Sequence, residues 1–189
     1  MKNIPTLLLI LFFGASSLAQ GVFRNQTNNT LEKVVQDFPS QFKNIKGELL
    51  SSNQASAEYK SNITIPGAVS TIITQSTAAH KQVLSWQSVV FTGSEFNKAK
   101  TRFEELFNQI KNTIIKPEGQ KAVIVNGMYT DPSEDKMFTA IQFDLLPASG
   151  IMQQLNIDLV MKNTGNNQWK IVLSVYDKDR KDTDVVIAK

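Results

Sequence analysis

His80 is the only histidine of the chain and the first candidate for nucleophilic chemistry. A serine triad needs a histidine base beside a nucleophile and an orienting carboxylate, so only His80 can supply the base. It lies in the polar run STAAHKQ, and the chain contains no G-x-S-x-G motif. Because histidine is commonly at least partly exposed, we interpret His80 as a surface residue.

Two segments match the S-x-x-K pattern of serine–lysine nucleophiles, Ser40–Lys43 and Ser133–Lys136. The companion S-D-N and K-T-G motifs are absent from the chain. The first segment stands beside Pro39, and the second lies in the turn-like run DPSEDK. We interpret both as chance matches.

Paired carboxylates act as general acid and base when they face each other across a cleft. Glu104 and Glu105 are neighbours in a predicted helix, so their side chains diverge by about 100°. Glu134 and Asp135 occupy a predicted turn. Both pairs are interpreted as solvated surface residues.

The charged run from Asp177 to Asp184 begins like a calcium-binding loop, but it lacks the glycine and the terminal glutamate of that motif. The chain has no cysteine, which excludes disulfides, thiol catalysis and cysteine-ligated metals. Glycine-rich phosphate loops and an HExxH motif are also absent. We therefore expect no enzyme activity and no catalytic, cofactor-binding or metal-binding residue. The sequence motifs do not identify any ligand-binding residue.

The elements that would position any such group are organised around the segment 91–113. Thr92 and Glu95 have the spacing of a capping box, with Ser94 as a second possible N-cap. The apolar residues that follow recur at intervals of three and four and predict one apolar stripe on a helix. They are Phe96, Ala99, Phe103, Leu106, Phe107 and Ile110.

Strand-like segments flank this helix, and Thr30 is the predicted N-cap of an earlier helix that ends near Pro39. Residues 40–46 are a possible further helical turn, and residues 49–56 and 75–81 are predicted loops. The predicted strands are 57–65, 68–74, 83–91, 121–129, 137–145, 155–161 and 169–176, with 185–188 as an optional last strand.

Short links between successive strands favour an α+β fold with an antiparallel sheet. We expect about six to seven strands with two main helices packed on one face. The predicted order is helix, strands, helix and a four-strand meander. Trp86 and Trp169 are expected in the core.

Residues 1–19 predict a secretory signal peptide, with Lys2, an apolar run at 7–13 and small residues before a cut ahead of Gln20. The run is too short to span a bilayer. Residues 20–30 are a predicted flexible segment, and residues 31–189 are a predicted single domain. We expect an exported protein, periplasmic or secreted, with no stable membrane insertion after cleavage.

A net charge of +3, from 20 basic and 17 acidic residues without a basic run, gives no support to nucleic-acid binding. The first hypothesis is a non-enzymatic binding or accessory protein. It would contact another envelope or secreted protein, or a second copy of itself, through a sheet face or edge. The alternative is a carrier of a small apolar ligand between helix and sheet. A hydrolase would need His80 or a carboxylate pair to converge in a cleft.

Overall fold

The computed structural model describes residues 25–78, 81–119 and 121–179. This part of the chain forms two α-helices, nine strands and two short 3₁₀ helices, at Phe38–Ser40 and Gly150–Gln154. The helices and strands are α1 (Gln26–Asp37), β1 (Lys46–Ser52), β2 (Ser56–Ser61), β3 (Ser70–Ala78), β4 (Lys81–Gly93), α2 (Phe96–Ile110), β5 (Ile114–Ile115), β6 (Val123–Gly127), β7 (Phe138–Leu146), β8 (Leu155–Asn163) and β9 (Trp169–Asp177).

All nine strands belong to one antiparallel sheet with the order β1-β2-β3-β4-β9-β8-β7-β6-β5. Each half of the chain runs in the same order, a helix followed by a meander of antiparallel strands. The last strand of each half, β4 or β9, lies at the centre of the sheet and pairs with its counterpart. The sheet is therefore two meanders joined along β4 and β9.

The predicted α+β class and antiparallel sheet are confirmed, but the predicted count of six to seven strands is wrong. The arrangement of helices also differs, because four strands separate the two helices and five follow the second. In space α1 contacts α2 and β5, whereas α2 contacts β4, β8 and β9. Neither helix of the described residues is long and apolar enough to cross a membrane.

The additional strands come from segments that lack a clear period-two pattern. β1, largely predicted as a loop, is an edge strand with two irregularities of register and is exposed along most of its length. Such a strand needs no alternation because neither of its faces is deeply buried. The segment 75–81, also predicted as a loop, contributes the end of β3 and the start of β4.

Both helix starts differ from the sequence prediction. The side chain of Asn25 accepts a hydrogen bond from the amide of Asn28 at 2.8 Å and caps α1. Residues 26–30 therefore lie in the helix rather than in a flexible segment. The predicted capping box of α2 is wrong, because β4 continues to Gly93 and Glu95 is the N-cap without a side-chain capping bond.

The apolar stripe of α2 is confirmed as the main contact between helix and sheet. Its last five apolar residues are buried, with at most 5% of their surface exposed. Phe96 is half-buried, and its ring meets that of Trp169 edge-on, with centroids 5.0 Å apart. Burial of each of the phenylalanine, leucine and isoleucine side chains in this stripe stabilises the fold by about 1.5–3 kcal/mol.

The core prediction for Trp86 and Trp169 is confirmed. The indole N–H of Trp86 donates a hydrogen bond to the hydroxyl of Ser61 at 3.0 Å. That hydroxyl donates in turn to the carbonyl of Ile63 at 2.6 Å. The one polar atom of the indole is thus satisfied inside the core, as a buried donor must be.

A turn held by Asp37 replaces the helical turn predicted for residues 40–46. The buried carboxylate of Asp37 accepts hydrogen bonds from the backbone amides of Asn44 at 3.0 Å and Ile45 at 3.2 Å. Gln41 and Phe42 have positive φ angles of 59° and 54° within this turn. The ring of Phe42 is buried near that of Phe38. The turn therefore joins the end of α1 to the core.

Gly127 at the end of β6 lies directly beneath the ring of Phe143 on β7. A Cβ atom at position 127 would stand 2.6 Å from Cδ1 of Phe143 and 3.2 Å from the carbonyl oxygen of Gln142. Phe143 is itself buried and stacks on Phe107 of α2 at 5.9 Å. The absence of a side chain at position 127 therefore lets the ring fill the space between sheet and helix.

Gly127→Ala is expected to destabilise the protein by about 1–3 kcal/mol, because the added methyl group overpacks a filled core. Urea unfolding followed by circular dichroism measures the change. Asn126→Ala on the adjacent, exposed position is the control and should change stability by less than about 0.5 kcal/mol. Equal effects of the two substitutions would contradict the packing of Phe143 against Gly127.

Candidate interaction surface on the outer sheet face

The two faces of the sheet differ in what covers them. On one face, alternate residues of β7, β8 and β9 are buried toward the helices. The intervening residues form the opposite face, here called the outer face. Those side chains are exposed along β7 and mostly half-buried along β8 and β9. Neither of the two described α-helices covers the outer face.

Strand register aligns four side chains across the outer face, here called the lysine row. Phe138 of β7 lies opposite Lys162 of β8, and Lys162 lies opposite Lys170 of β9. Thr92 of β4 lies opposite Lys170 and completes the row. Neighbouring strands are about 4.8 Å apart, so Phe138 and Lys170 are separated by roughly 10 Å.

A second row runs parallel to the lysine row, two residues away on β7, β8 and β9 and three residues away on β4, where the register is irregular. It consists of Ala140, Val160, Val172 and Val89, which lie opposite one another from β7 to β4. We call it the valine row. The ring of Phe138 adds to it, because Phe138 precedes Ala140 on the same face and 65% of its surface is exposed. Two cations and an apolar strip thus lie side by side.

The lysine pair is electrostatically unfavourable in the isolated chain. Burial, and then the positive charge of Lys170, lower the pKa of Lys162. In the described part of the chain neither lysine forms an ion pair, whereas Lys98 contacts Glu95 at 2.6 Å. Like charges directly opposite each other in a sheet destabilise it. The free protein thus carries a local electrostatic cost here.

A separate apolar group, here called the edge patch, lies at the other end of β7. Ile114, Ile124 and Leu146 are opposite one another on β5, β6 and β7. Their exposed fractions are 49%, 45% and 49%. Because Leu146 and Phe138 are eight residues apart on one strand, the edge patch and the lysine row share the outer face.

The helix side of the sheet carries an open groove of about 440 Å³ between α2 and β4. A register irregularity between Val89 and Phe91 places Val90 and Phe91 in its wall. On the helix side, Arg102 bonds to Glu105 at 3.3 Å. The groove combines charged and apolar walls and is open to solvent, so it lacks the enclosed apolar form of a typical small-molecule site.

The residues considered for catalysis are not brought together in the described residues. Ser40–Lys43 and Ser133–Lys136 lie in separate turns. Glu104 and Glu105 are exposed on α2, and Glu134 and Asp135 are exposed before β7. His80 and residues 180–184 of the charged run lie outside the described residues. Within the described ranges no group of three potential metal-ligating side chains occurs.

Tyr129, on the helix side of the sheet, has a phenol whose pKa is shifted. Burial, followed by the charges of Asp131 and Glu104, raises the pKa of its phenol to about 12. Its ring packs near those of Phe103 and Phe107, with centroid distances of 6.4 and 5.1 Å. These contacts anchor the segment after β6 to α2, and they account for Tyr129 without a catalytic role.

The pairing of Lys162 with Lys170 was missed from the sequence, although a signal for it exists. The hairpin run NTGNNQ separates two alternating segments, and a register that keeps the apolar residues of both segments on one face allows Lys162 to lie opposite Lys170. Phe138 and Thr92 carry no comparable signal, because they join the row from more distant parts of the chain.

Comparison of the chain with family models, curated proteins and solved structures finds no match. The function therefore has to be inferred from the surface itself. The strongest feature is a helix-free outer face that combines exposed apolar residues with the lysine row.

Lys170→Glu is expected to raise the free energy of unfolding by about 0.2–1 kcal/mol, because an opposite-charge pair replaces a like-charge pair. Urea unfolding at low ionic strength measures this. Lys121→Glu makes the same change in net charge at an exposed position outside the strands and is the control. A Lys170→Glu protein no more stable than the control would show that the two lysines do not repel each other.

Proposed function

We propose that the protein is an exported, non-enzymatic binding or accessory protein that contacts another protein through the outer face of its sheet. The observation that carries the proposal is the exposure of apolar side chains in register on that face. Phe138 stands beside the valine row, and the three residues of the edge patch are each nearly half exposed. Exposed apolar groups of this kind favour a protein interface.

The packing of α2 favours a protein partner over a small apolar ligand. A carrier would hold its ligand between helix and sheet, in a concave apolar pocket. Phe103, Leu106 and Ile110 of α2 are fully buried against other core residues. The open groove beside β4 has charged residues in its wall. The apolar stripe of α2 thus serves as core, and we do not assign it to a ligand.

A sheet face is favoured over a sheet edge because both edge strands are poor templates. β1 exposes Leu49 and Leu50, but its register is interrupted twice. β5 has only two residues. Irregular and short edges are features that limit strand addition. The exposed face therefore offers the more suitable surface.

A different protein is favoured over a second copy of the chain. A two-fold dimer places the same patch on both sides of the interface. Centred on the lysine row, it would bring together two copies of Lys162 and two of Lys170. Because like charges across an interface disfavour association, we expect a hetero-complex.

Export is proposed from the sequence pattern of residues 1–19, which lie outside the described residues. The positive Lys2, the apolar run 7–13 and the small Ser17 and Ala19 support cleavage before Gln20. The partner would then be a protein of the cell envelope or the extracellular space.

Site-specific photo-crosslinking in the producing organism tests this function. A benzophenone amino acid replaces Phe138 on the outer face, or Asn108 on the exposed side of α2 as the control. We expect one adduct of defined mass from position 138, recovered in the exported fraction, and none from position 108. Ile124→Ser in the edge patch should weaken formation of that adduct.

Two results would contradict the proposed function. One is the same adduct pattern from positions 138 and 108, which would indicate random collision. The other is the lack of any adduct from position 138 in correctly folded, normally abundant protein. Circular dichroism of each labelled protein establishes folding before the comparison.

A further inference from the structure

We propose that the partner presents an acidic segment to the outer face, with a carboxylate held between Lys162 and Lys170 and an adjacent apolar side chain against Phe138 and the valine row. This inference rests on the proposed function and assigns the chemistry of its partner. It follows from the register of β7, β8 and β9, which places cations and apolar side chains at fixed separations.

The separation of the two lysines suits a single carboxylate. Directly opposite residues in an antiparallel pair have Cβ atoms about 4.5–5.5 Å apart. Two lysine side chains that start this close can both direct their ammonium groups at one anion. A carboxylate has two oxygens and about four lone-pair sites, so it can accept from both ammonium groups. One acidic side chain can therefore neutralise the repulsion between both lysines.

Among the described residues, the acidic groups of β7 and β8 on the outer face lie too far along the strands to perform this role. Asp158 is four residues from Lys162 on β8, a distance of roughly 13 Å along the strand. It accepts a hydrogen bond from the phenol of Tyr176 at 2.6 Å. Asp144 is six residues from Phe138 on β7. The lysine row is therefore a positive site among mostly apolar neighbours.

Half-burial strengthens the expected contact. Lys162 and Lys170 are both only partly exposed, so a carboxylate that docks between them would displace water and interact in a lower effective dielectric. Charge-assisted hydrogen bonds are also stronger than neutral ones. The lowered pKa of Lys162 agrees with this, because an anion would stabilise the charged form that burial disfavours.

The valine row selects for an apolar neighbour of the carboxylate. It lies beside the lysine row on the same face, and residues on the two rows are two positions apart on β7, β8 and β9. An extended partner segment with an acidic and an apolar residue two positions apart would match the two rows, because such residues lie on one face about 7 Å apart. Nucleic acid would need a longer positive surface, and the net charge of +3 provides none.

Nuclear magnetic resonance titration of the full mature chain tests this chemistry with three synthetic peptides of equal length. The acidic probe is acetyl-Glu-Ser-Phe-Ser-Glu-amide, and glutamine or lysine replaces every glutamate in the other two. We expect the acidic peptide to shift the amide signals of residues 138, 160, 162, 170 and 172, and to bind at least about tenfold more tightly than the neutral one.

The variant Lys162→Glu/Lys170→Glu should bind the acidic peptide at least about tenfold more weakly than the natural chain does, and it should bind the lysine peptide more tightly. The variant Lys170→Glu alone separates binding from folding, because it is expected to be more stable than the natural chain while binding the acidic peptide less tightly. Lys121→Glu makes the same single charge change outside the rows and should leave binding unchanged. Higher salt should weaken the acidic complex.

The inference is overturned if the neutral peptide binds as tightly as the acidic one. It is equally overturned if the acidic peptide shifts the amide signals of other residues and leaves those of the two rows unchanged. It is also overturned if vesicles of phosphatidylglycerol bind the lysine row and the acidic peptide does not. In each case a retained crosslink from position 138 would leave the proposed function standing. Loss of that crosslink in the natural chain would instead overturn the function itself.

Discussion

The antiparallel pairing of β4 with β9 is the interaction on which the rest of the structure depends. It runs from Ser85 opposite Tyr176 to Gly93 opposite Trp169 and unites two meanders in a nine-stranded sheet. The two paired strands also form part of the sheet surface on which α2 packs, since that helix contacts β4, β8 and β9. Without this pairing, Trp86 and the apolar residues of β9 would have no common core.

This central pair also determines which surface is left for function. Once α2 is placed on one face, its phenylalanines fill the space between helix and sheet, as the stack of Phe107 on Phe143 shows. The other face keeps the lysine row and the valine row. Within the described residues the two lysines face each other without an ion pair, which is unfavourable for the fold itself.

The parts of the fold that could be predicted are those encoded by local periodicity. The apolar stripe from Phe96 to Ile110 and the strands β7, β8 and β9 depend on patterns among neighbouring residues, and both were predicted. β1 was missed because an edge strand is not required to alternate. The pairing of β4 with β9 joins residues about eighty positions apart, which no local pattern reveals. The candidate surface was not predicted, because the opposition of Lys162 to Lys170 depends on the register between strands.

Native mass spectrometry of the mature protein, purified gently from the organism that produces it, tests the central claim most directly. The claim is that the outer face binds another protein while the space between helix and sheet is filled by core. We expect the chain to be detected together with a second, different polypeptide, and with no small molecule retained. A monomer that carries a small apolar molecule, or a monomer with no bound partner at natural abundance, would contradict the account.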